Sequence, residues 1–454
     1  MEYISKNPYT GEKLAEFEAI SGGNIQAKIL KSEETFSQWK RLSFAQRGEL
    51  FIKLARLMEE QKARLAETIS LEMGKPVKES AAELDKTIFC CKYYAQNAEP
   101  LLQSRILEGN ELNSEIMFQP LGVIFGIFPW NFPFWQVLRF AIPTLMAGNT
   151  AVFKHAANVP QCALHIERLF MEAGFPQGAL TNLFITHDDT ETVISHPAIK
   201  AVTLTGSERA GSSVAALAGK YLKKSVMELG GSDAFVVLED CDFEPALKAA
   251  LRSRFQNSGQ SCISAKRFIV RKEVAEQFTT RMLEGVLKLK HGNPLENDTN
   301  LGTLARPDLA DTVLKQVNKT LEQGAQLVTG GNKLADAVVA PTILTNVPLD
   351  SPAFAEEVFG PVAPVFVVDS DDEALKLANG TKYGLGSSVW TKNENRARYF
   401  AEGINSGMVY INEMVRSTPE LPFGGIGYSG YGRELSEFGI TEFVNIKSIV
   451  TGKK

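Results

Sequence analysis

The 454-residue chain predicts an α/β protein built on parallel sheets, with two or more domains. Three observations carry that reading. From residue 121 onward, short β-rich runs alternate with helical runs, the pattern of βαβ units. Residues 23–105 read instead as mostly helical. The length, finally, exceeds what one hydrophobic core of ordinary size fills.

The elements follow in chain order. Arg47–Arg64 places Leu50, Leu54, Leu57 and Met58 at i, i+4, i+7 and i+8, with Lys, Arg and Glu in most gaps, as on one amphipathic helix. Val123–Ile127 reads as a strand and Phe134–Leu145 as a helix. Thr150–Lys154 is a strand before the helix Gln161–Ala173, and Ala201–Thr205 a strand before the helix Arg209–Leu222. A second α/β region opens with the strand Asp233–Leu238 and the helix Phe243–Phe255, which delivers the chain to Cys262. The strand Phe268–Val270 precedes the helix Lys272–Leu289, and the strand-like Pro364–Val368 precedes the helix Asp371–Ala378. Gly330-Gly331 and Asn379-Gly380 mark turns. No repeat or low-complexity linker separates the two regions. They are expected to share a tight interface, with the chemistry in the cleft between them.

Composition narrows the function. Hydrophobic residues at 44% and charged residues at 22% describe an ordinary globular chain. A net charge of −5 gives no overall pull toward nucleic acid or anionic membrane, so neither is an expected partner. The five cysteines (Cys90, Cys91, Cys162, Cys241, Cys262) form no disulfide framework, and no CxxC or Cys/His cluster suggests a metal. Met1–Lys6 lacks a signal peptide's apolar stretch, and Leu121–Phe128 is too short to span a bilayer. The expectation is a cytoplasmic enzyme in a reducing compartment.

Cys262 stands apart from the other cysteines. It closes the run Asn257-Ser258-Gly259-Gln260-Ser261-Cys262, polar and glycine-containing rather than apolar. Cys90 and Cys91 sit in an apolar helical run, Cys162 at a helix start and Cys241 in an acidic loop; these four read as structural. Glu228 follows the strand-like Ser225-Val226-Met227 and precedes Gly230-Gly231 by one residue. Alone it reads as a solvent-facing turn residue, but a flexible Gly pair also lets a carboxylate approach a reacting centre. Asn131, in Pro129-Trp130-Asn131-Phe132-Pro133, reads as a helix N-cap, as an oxyanion donor, or as both. Thiol, amide and carboxylate are together the parts needed to oxidise an aldehyde through a thioester. Thr205-Gly206-Ser207 lies between a strand and a helix, a junction that suits a pyrophosphate or an ordinary turn. The literal G-x-G-x-x-G at Gly425–Gly430 does not read as a dinucleotide site, because it follows no clear strand and no βαβ unit remains after it.

The ordered motifs Pro-Trp-Asn-Phe-Pro, Thr-Gly-Ser, Glu-Leu-Gly-Gly, Gly-Gln-x-Cys, Glu-Glu-Val-Phe-Gly-Pro and Pro-Phe-Gly-Gly run through nearly the whole chain. As a set they resemble the aldehyde dehydrogenase superfamily. Trp135–Arg139 and Leu229–Ala234 are similar to its short bacterial succinate-semialdehyde dehydrogenases. The resemblance implies a Rossmann-type cofactor domain (1–106 and 123–229), an α/β catalytic domain (230–428) and a small β oligomerisation arm (107–122 and 440–454). It implies a homodimer or homotetramer. It further implies Cys262 as nucleophile, Asn131 with the Cys262 N–H as oxyanion hole, and Glu228 as general base. Lys154 would bind the adenosine ribose. Ser207 would contact the pyrophosphate, with Gly206 permitting close approach. Glu357 would hold the nicotinamide ribose, with Phe359 and Trp130 near the nicotinamide.

Departures from the family pattern bear on cofactor and substrate. Many NAD-selective members carry Lys-x-x-Glu, whose Glu repels a 2′-phosphate. Here Lys154 is followed by His155, Ala156 and Ala157, so the expectation is that NADP is used alongside or in preference to NAD. Position 264 is Ser264, so the vicinal disulfide of some relatives cannot form. Arg139, and secondarily Arg416, are the expected anchors for the far carboxylate of succinic semialdehyde. Where many relatives read Ser-Asp-Pro-Arg, this chain reads Ser417-Thr418-Pro419-Glu420, which leaves glutarate semialdehyde or a neutral short aldehyde as alternatives. A CoA-acylating relative would commonly lack Glu228, and a non-catalytic one would be free to lose the thiol, amide or carboxylate.

Overall fold

The computed structural model describes residues 2–107 and 113–452. Four helices, Gly22–Trp39, Phe44–Glu60, Lys62–Met73 and Val77–Leu101, fill the N-terminal region. The expected single helix Arg47–Arg64 is two. Ser43 caps the first with a reciprocal Ser43/Gln46 capping box. Gln61 (φ −96°, ψ 7°) then leaves the helical region and starts the next. The apolar period runs on across it, so the pattern alone could not reveal the break.

The first sheet holds five parallel strands in the order Leu180–Asn182, Thr150–Lys154, Val123–Ile127, Ile199–Thr205, Lys224–Glu228, with Gly430–Tyr431 added antiparallel at the edge. Sequence order reverses beside Val123–Ile127. At such a switch point the helices leave in opposite directions and open a crevice outside the carboxyl ends of the strands. Val123–Phe125 and Ala151–Phe153 in the middle of the sheet are apolar and buried, as a sheet covered on both faces requires.

The second sheet has seven strands: Gln326–Thr329, Thr342–Thr345, Val362–Val368, Ala265–Arg271, Asp233–Val237, Gly386–Trp390, Met408–Ile411. All neighbours are parallel except the first pair. A third, antiparallel sheet joins Val444–Thr451 to Asn113–Pro120 and Arg105–Leu107. Residues 108–112 and 453–454 of the expected arm lie outside the described residues. Among the described residues, no helix is long and apolar enough to cross a membrane, and no His/Cys/Asp/Glu cluster could hold a metal ion.

The Gly425–Gly430 run forms no phosphate loop. Ile426–Gly427 pairs with Tyr383–Gly384, and Gly430–Tyr431 pairs with Met227 and Glu228.

Candidate active site

Four of the singled-out motifs lie at carboxyl ends of the first sheet. Pro129-Trp130-Asn131 follows Val123–Ile127, Lys154 ends its strand, Thr205-Gly206-Ser207 follows Ile199–Thr205, and Glu228 ends Lys224–Glu228. The second sheet brings Cys262 to them from the turn before Ala265–Arg271.

That turn is strained and densely tied. Asn257 and Ser258 are left-handed (φ 53° and 52°), a conformation costing about 1–2 kcal/mol per non-glycine residue. Gly259 follows at φ +77°, and a Cβ there would lie 2.3 Å from the Gly360 carbonyl, so only glycine fits. The Asn257 amide donates to the carbonyls of Asn131 (2.9 Å) and Gln260 (3.1 Å), and its N–H donates to Glu79 (2.6 Å). Ser258 Oγ donates to the Gly302 carbonyl (3.0 Å).

Two cations brace the same loop. Buried Arg254 donates to the carbonyls of Gly259 (2.9 Å), Ala265 (3.0 Å) and Gly360. Lys266 Nζ donates to the carbonyls of Cys262 (2.6 Å) and Ser261 (2.9 Å) and pairs with Glu357 (3.0 Å). Sequence reasoning missed both, because their partners are backbone carbonyls and a carboxylate about 90 residues away.

Cys262 is half-buried and lines a cavity of about 410 Å³. Burial pushes its thiol up to about 11, against the pull of Arg139 and Lys266. The Cys262 N–H donates to no group among the described residues. Asn131 is buried, and its Nδ2 spends one proton on the Gln260 carbonyl (3.0 Å), leaving the other available. Asn131 is not the helix cap that its type suggested. Glu83 Oε1 takes that role, accepting from the N–H groups of Phe134 (2.8 Å) and Trp135 (2.9 Å).

Glu228 does not face solvent. Its carboxylate is buried without a hydrogen-bond partner, and burial beside Glu434 holds it well above the usual carboxylate range. It packs against Gly424 and does not line the Cys262 cavity.

Of the cofactor candidates, Trp130, Phe359 and Glu357 lie close to one another. Trp130 and Phe359 meet edge to face, with centroids 5.9 Å apart. Beside them, Glu357 accepts from the Gly231 N–H (3.1 Å), and a Cβ on Gly230 would strike Glu357 Oε2 at 2.2 Å, so Gly230 is required by this close approach. Ser207 caps the helix Glu208–Lys220, its Oγ accepting from the Ala210 N–H (3.3 Å). Lys154 is buried with no carboxylate partner among the described residues, and burial lowers it to about 8. Ala157 stands half-buried on the loop after it.

The substrate candidates fare differently. Arg139 lines the cavity, but its guanidinium is only 2% exposed, pairs with Glu434, and donates to Thr205 Oγ1 (3.3 Å). Arg416 lines the cavity and is exposed, with its backbone carbonyl accepting from Tyr410. Glu420 is exposed and does not line it.

The model of the aldehyde dehydrogenase family matches residues 2–449. A probable NADP(+) succinate-semialdehyde dehydrogenase of Synechocystis sp. is 46% identical over 451 residues, covering 99% of each chain. A succinate-semialdehyde dehydrogenase [NADP(+)] of Mycobacterium tuberculosis is 43% identical over 99% of each chain. The structure of succinic semialdehyde dehydrogenase from Streptococcus pyogenes in complex with NADP+ superimposes with a TM-score of 0.97 at 37% identity, covering 99% of this chain and 100% of that one. With the family model matched over residues 2–449 and relatives 46% and 43% identical along the whole chain, the chain belongs to the aldehyde dehydrogenase family.

Proposed function

We propose that the protein oxidises succinic semialdehyde to succinate with NADP+. The observation that carries this reading is the Cys262 loop: its thiol lines the cavity, its N–H donates to no group among the described residues, and Asn131, tied to the same loop through the Gln260 carbonyl, keeps a spare amide proton. The names of its relatives supply the substrate and the cofactor.

Cys262, as thiolate, adds to the aldehyde carbon. The developing oxyanion is received by Asn131 Nδ2 and the Cys262 N–H. NADP+, once bound, would supply the hydride acceptor that turns the Cys262 adduct into a thioester. Glu228 turns from its pocket toward that thioester, loses its own proton to solvent on leaving the burial that kept it neutral, and takes a proton from the attacking water; carboxylate leaves and the thiol is restored.

The residues fit NADP+. Lys154 is a buried cation lacking an anionic partner, as a ribose phosphate site needs, and Ala157 presents no charge against a 2′-phosphate. Ser207 and the helix behind it suit the pyrophosphate, Glu357 the nicotinamide ribose, and Trp130 with Phe359 the ring. Arg139 and Arg416 add positive charge to the substrate cavity. Assembly as a homodimer or homotetramer through the third sheet completes the reading. Exposed Ile106, Ile446 and Val450 on that sheet support it.

The test is NADPH formation by purified protein, comparing succinic semialdehyde with butanal under NADP+ and NAD+. The expected result is a strong preference for the semialdehyde and for NADP+. Equal turnover of butanal overturns the substrate; better turnover with NAD+ overturns the cofactor. Retained turnover in Cys262→Ala overturns the nucleophile.

A further inference from the structure

The cavity beside Cys262 holds a cation that the motif reading did not use. Lys86, on the helix Val77–Leu101, lines it together with Trp135, Arg139, Cys262 and Ser417. Its Nζ lies 4.2 Å from the centroid of the Trp135 ring and donates to Ser417 Oγ. No carboxylate pairs with it among the described residues. Glu83, the carboxylate whose charge acts on it, is already paired with Lys75. The cavity's other deep cation, Arg139, shares its charge with Glu434. The charge not yet balanced is therefore on Lys86.

Ser417 sharpens the point. A serine hydroxyl has two acceptor lone pairs and one donor proton. The side chain is 4% exposed, and its oxygen accepts from both Lys86 Nζ and Trp135 Nε1 (3.1 Å). Its proton has no acceptor among the described residues. An ammonium and a hydroxyl proton thus meet at one point of the cavity wall, and both call for an anion. We infer that Lys86 is the specificity-determining residue that holds the far carboxylate of an ω-carboxylated aldehyde while its carbonyl meets Cys262. The inference rests on the semialdehyde reading above.

Titration follows from the surroundings. Burial, with Arg139 nearby, lowers Lys86 to about 7, while Glu83, Cys90 and Cys262 pull the other way. Glu413, Arg416 and Arg252 also border the cavity. Glu79 does too, and burial raises it to about 7. Below pH 7 Lys86 is charged and ready for a carboxylate. Above it, free Lys86 is neutral and must take up a proton to bind one. The apparent KM for the semialdehyde rises with pH above about 7, and that for butanal does not.

The experiment measures KM and kcat for succinic semialdehyde and butanal in wild type, Lys86→Met and Lys86→Arg between pH 6 and 9. Lys86→Met is expected to raise the semialdehyde KM on the order of tenfold or more, leave butanal within about twofold, and flatten the pH dependence. Lys86→Arg is expected to keep the low KM and to lose the pH step, because its charge persists. An equal effect on both aldehydes in Lys86→Met, or an unchanged pH step, which would then belong to Glu79, overturns the inference while wild-type preference for the semialdehyde keeps the functional reading. Absence of that preference in wild type overturns both. Lys86→Arg decides the matter even if Lys86→Met fails to fold: a pH step that persists in it overturns the inference.

Discussion

Lys75 and Glu83 form an ion pair whose side chains are 0% and 1% exposed. Around it the oxyanion segment is assembled: Lys75 Nζ also donates to the Asn131 carbonyl (3.3 Å), and Glu83 Oε1 caps the helix Pro133–Met146. Glu83→Gln keeps an acceptor for the two N–H groups but strands a buried ammonium. Breaking a buried pair in this way costs about 3–5 kcal/mol. Weakening two charge-assisted bonds to neutral ones costs about 1 kcal/mol each, partly inside that sum. Lys75→Met leaves the carboxylate facing a helix N-terminus, which offsets up to about 2 kcal/mol, so this single change costs less. The double variant strands no charge. Its cost is therefore expected to fall at least about 2 kcal/mol short of the summed singles. Urea denaturation at unchanged m-value reads all four corners of this cycle. The same variants test positioning: Glu83→Gln lowers kcat for semialdehyde and butanal alike, because it moves Asn131. Additive costs within about 0.5 kcal/mol, or an unchanged kcat, refute the reasoning.

Three further outcomes are expected. Glu228→Gln forms about one NADPH per site in a burst and then stalls, because acylation proceeds and hydrolysis does not; rapid-mixing absorbance checks this, and loss of the burst removes Glu228 from the hydrolytic step. Ala157→Glu places a carboxylate near the buried Lys154 and lowers the NADP+ to NAD+ ratio of kcat/KM on the order of 100-fold, read by steady-state kinetics with both cofactors. The raised Cys262 thiol gives inactivation by iodoacetamide that speeds tenfold per pH unit between pH 6 and 9, since the thiolate fraction grows with pH throughout the range below about 11; a plateau near neutrality refutes the direction of the shift.

The parts legible in the sequence were those with local causes. Val123–Ile127, Thr150–Lys154, Phe243–Phe255 and Asp371–Ala378 begin and end where apolar run and flanking turn residues place them. The motifs at strand ends were legible for the same reason, since a strand followed by glycine, asparagine or hydroxyl residues announces its own terminus. Non-local causes were not legible. Asn131 loses the cap role to Glu83, 48 residues earlier and on another helix. Glu228 looked like a turn residue until Gly424 and Glu434 closed over it. Arg254 lies in the last turn of a helix, where an arginine ordinarily faces water; only the fold shows it holding three carbonyl-bearing segments together.

Charge balance explains why Arg139 is a poor variant for testing substrate binding. Its guanidinium pairs with Glu434, and Glu228 lies in the same buried cluster. Arg139→Ala would strand Glu434, push Glu228 further toward the neutral acid, and remove a charge that lowers the Cys262 thiol. Acylation, hydrolysis and folding would then change together, and both aldehydes would suffer. A rise in KM confined to the carboxylated substrate must come from a residue whose charge serves nothing else. Among the cations deep in this cavity, Lys86 comes nearest to that condition: among the described residues it pairs with no carboxylate, and its ammonium meets the Trp135 ring and a serine whose proton is still free.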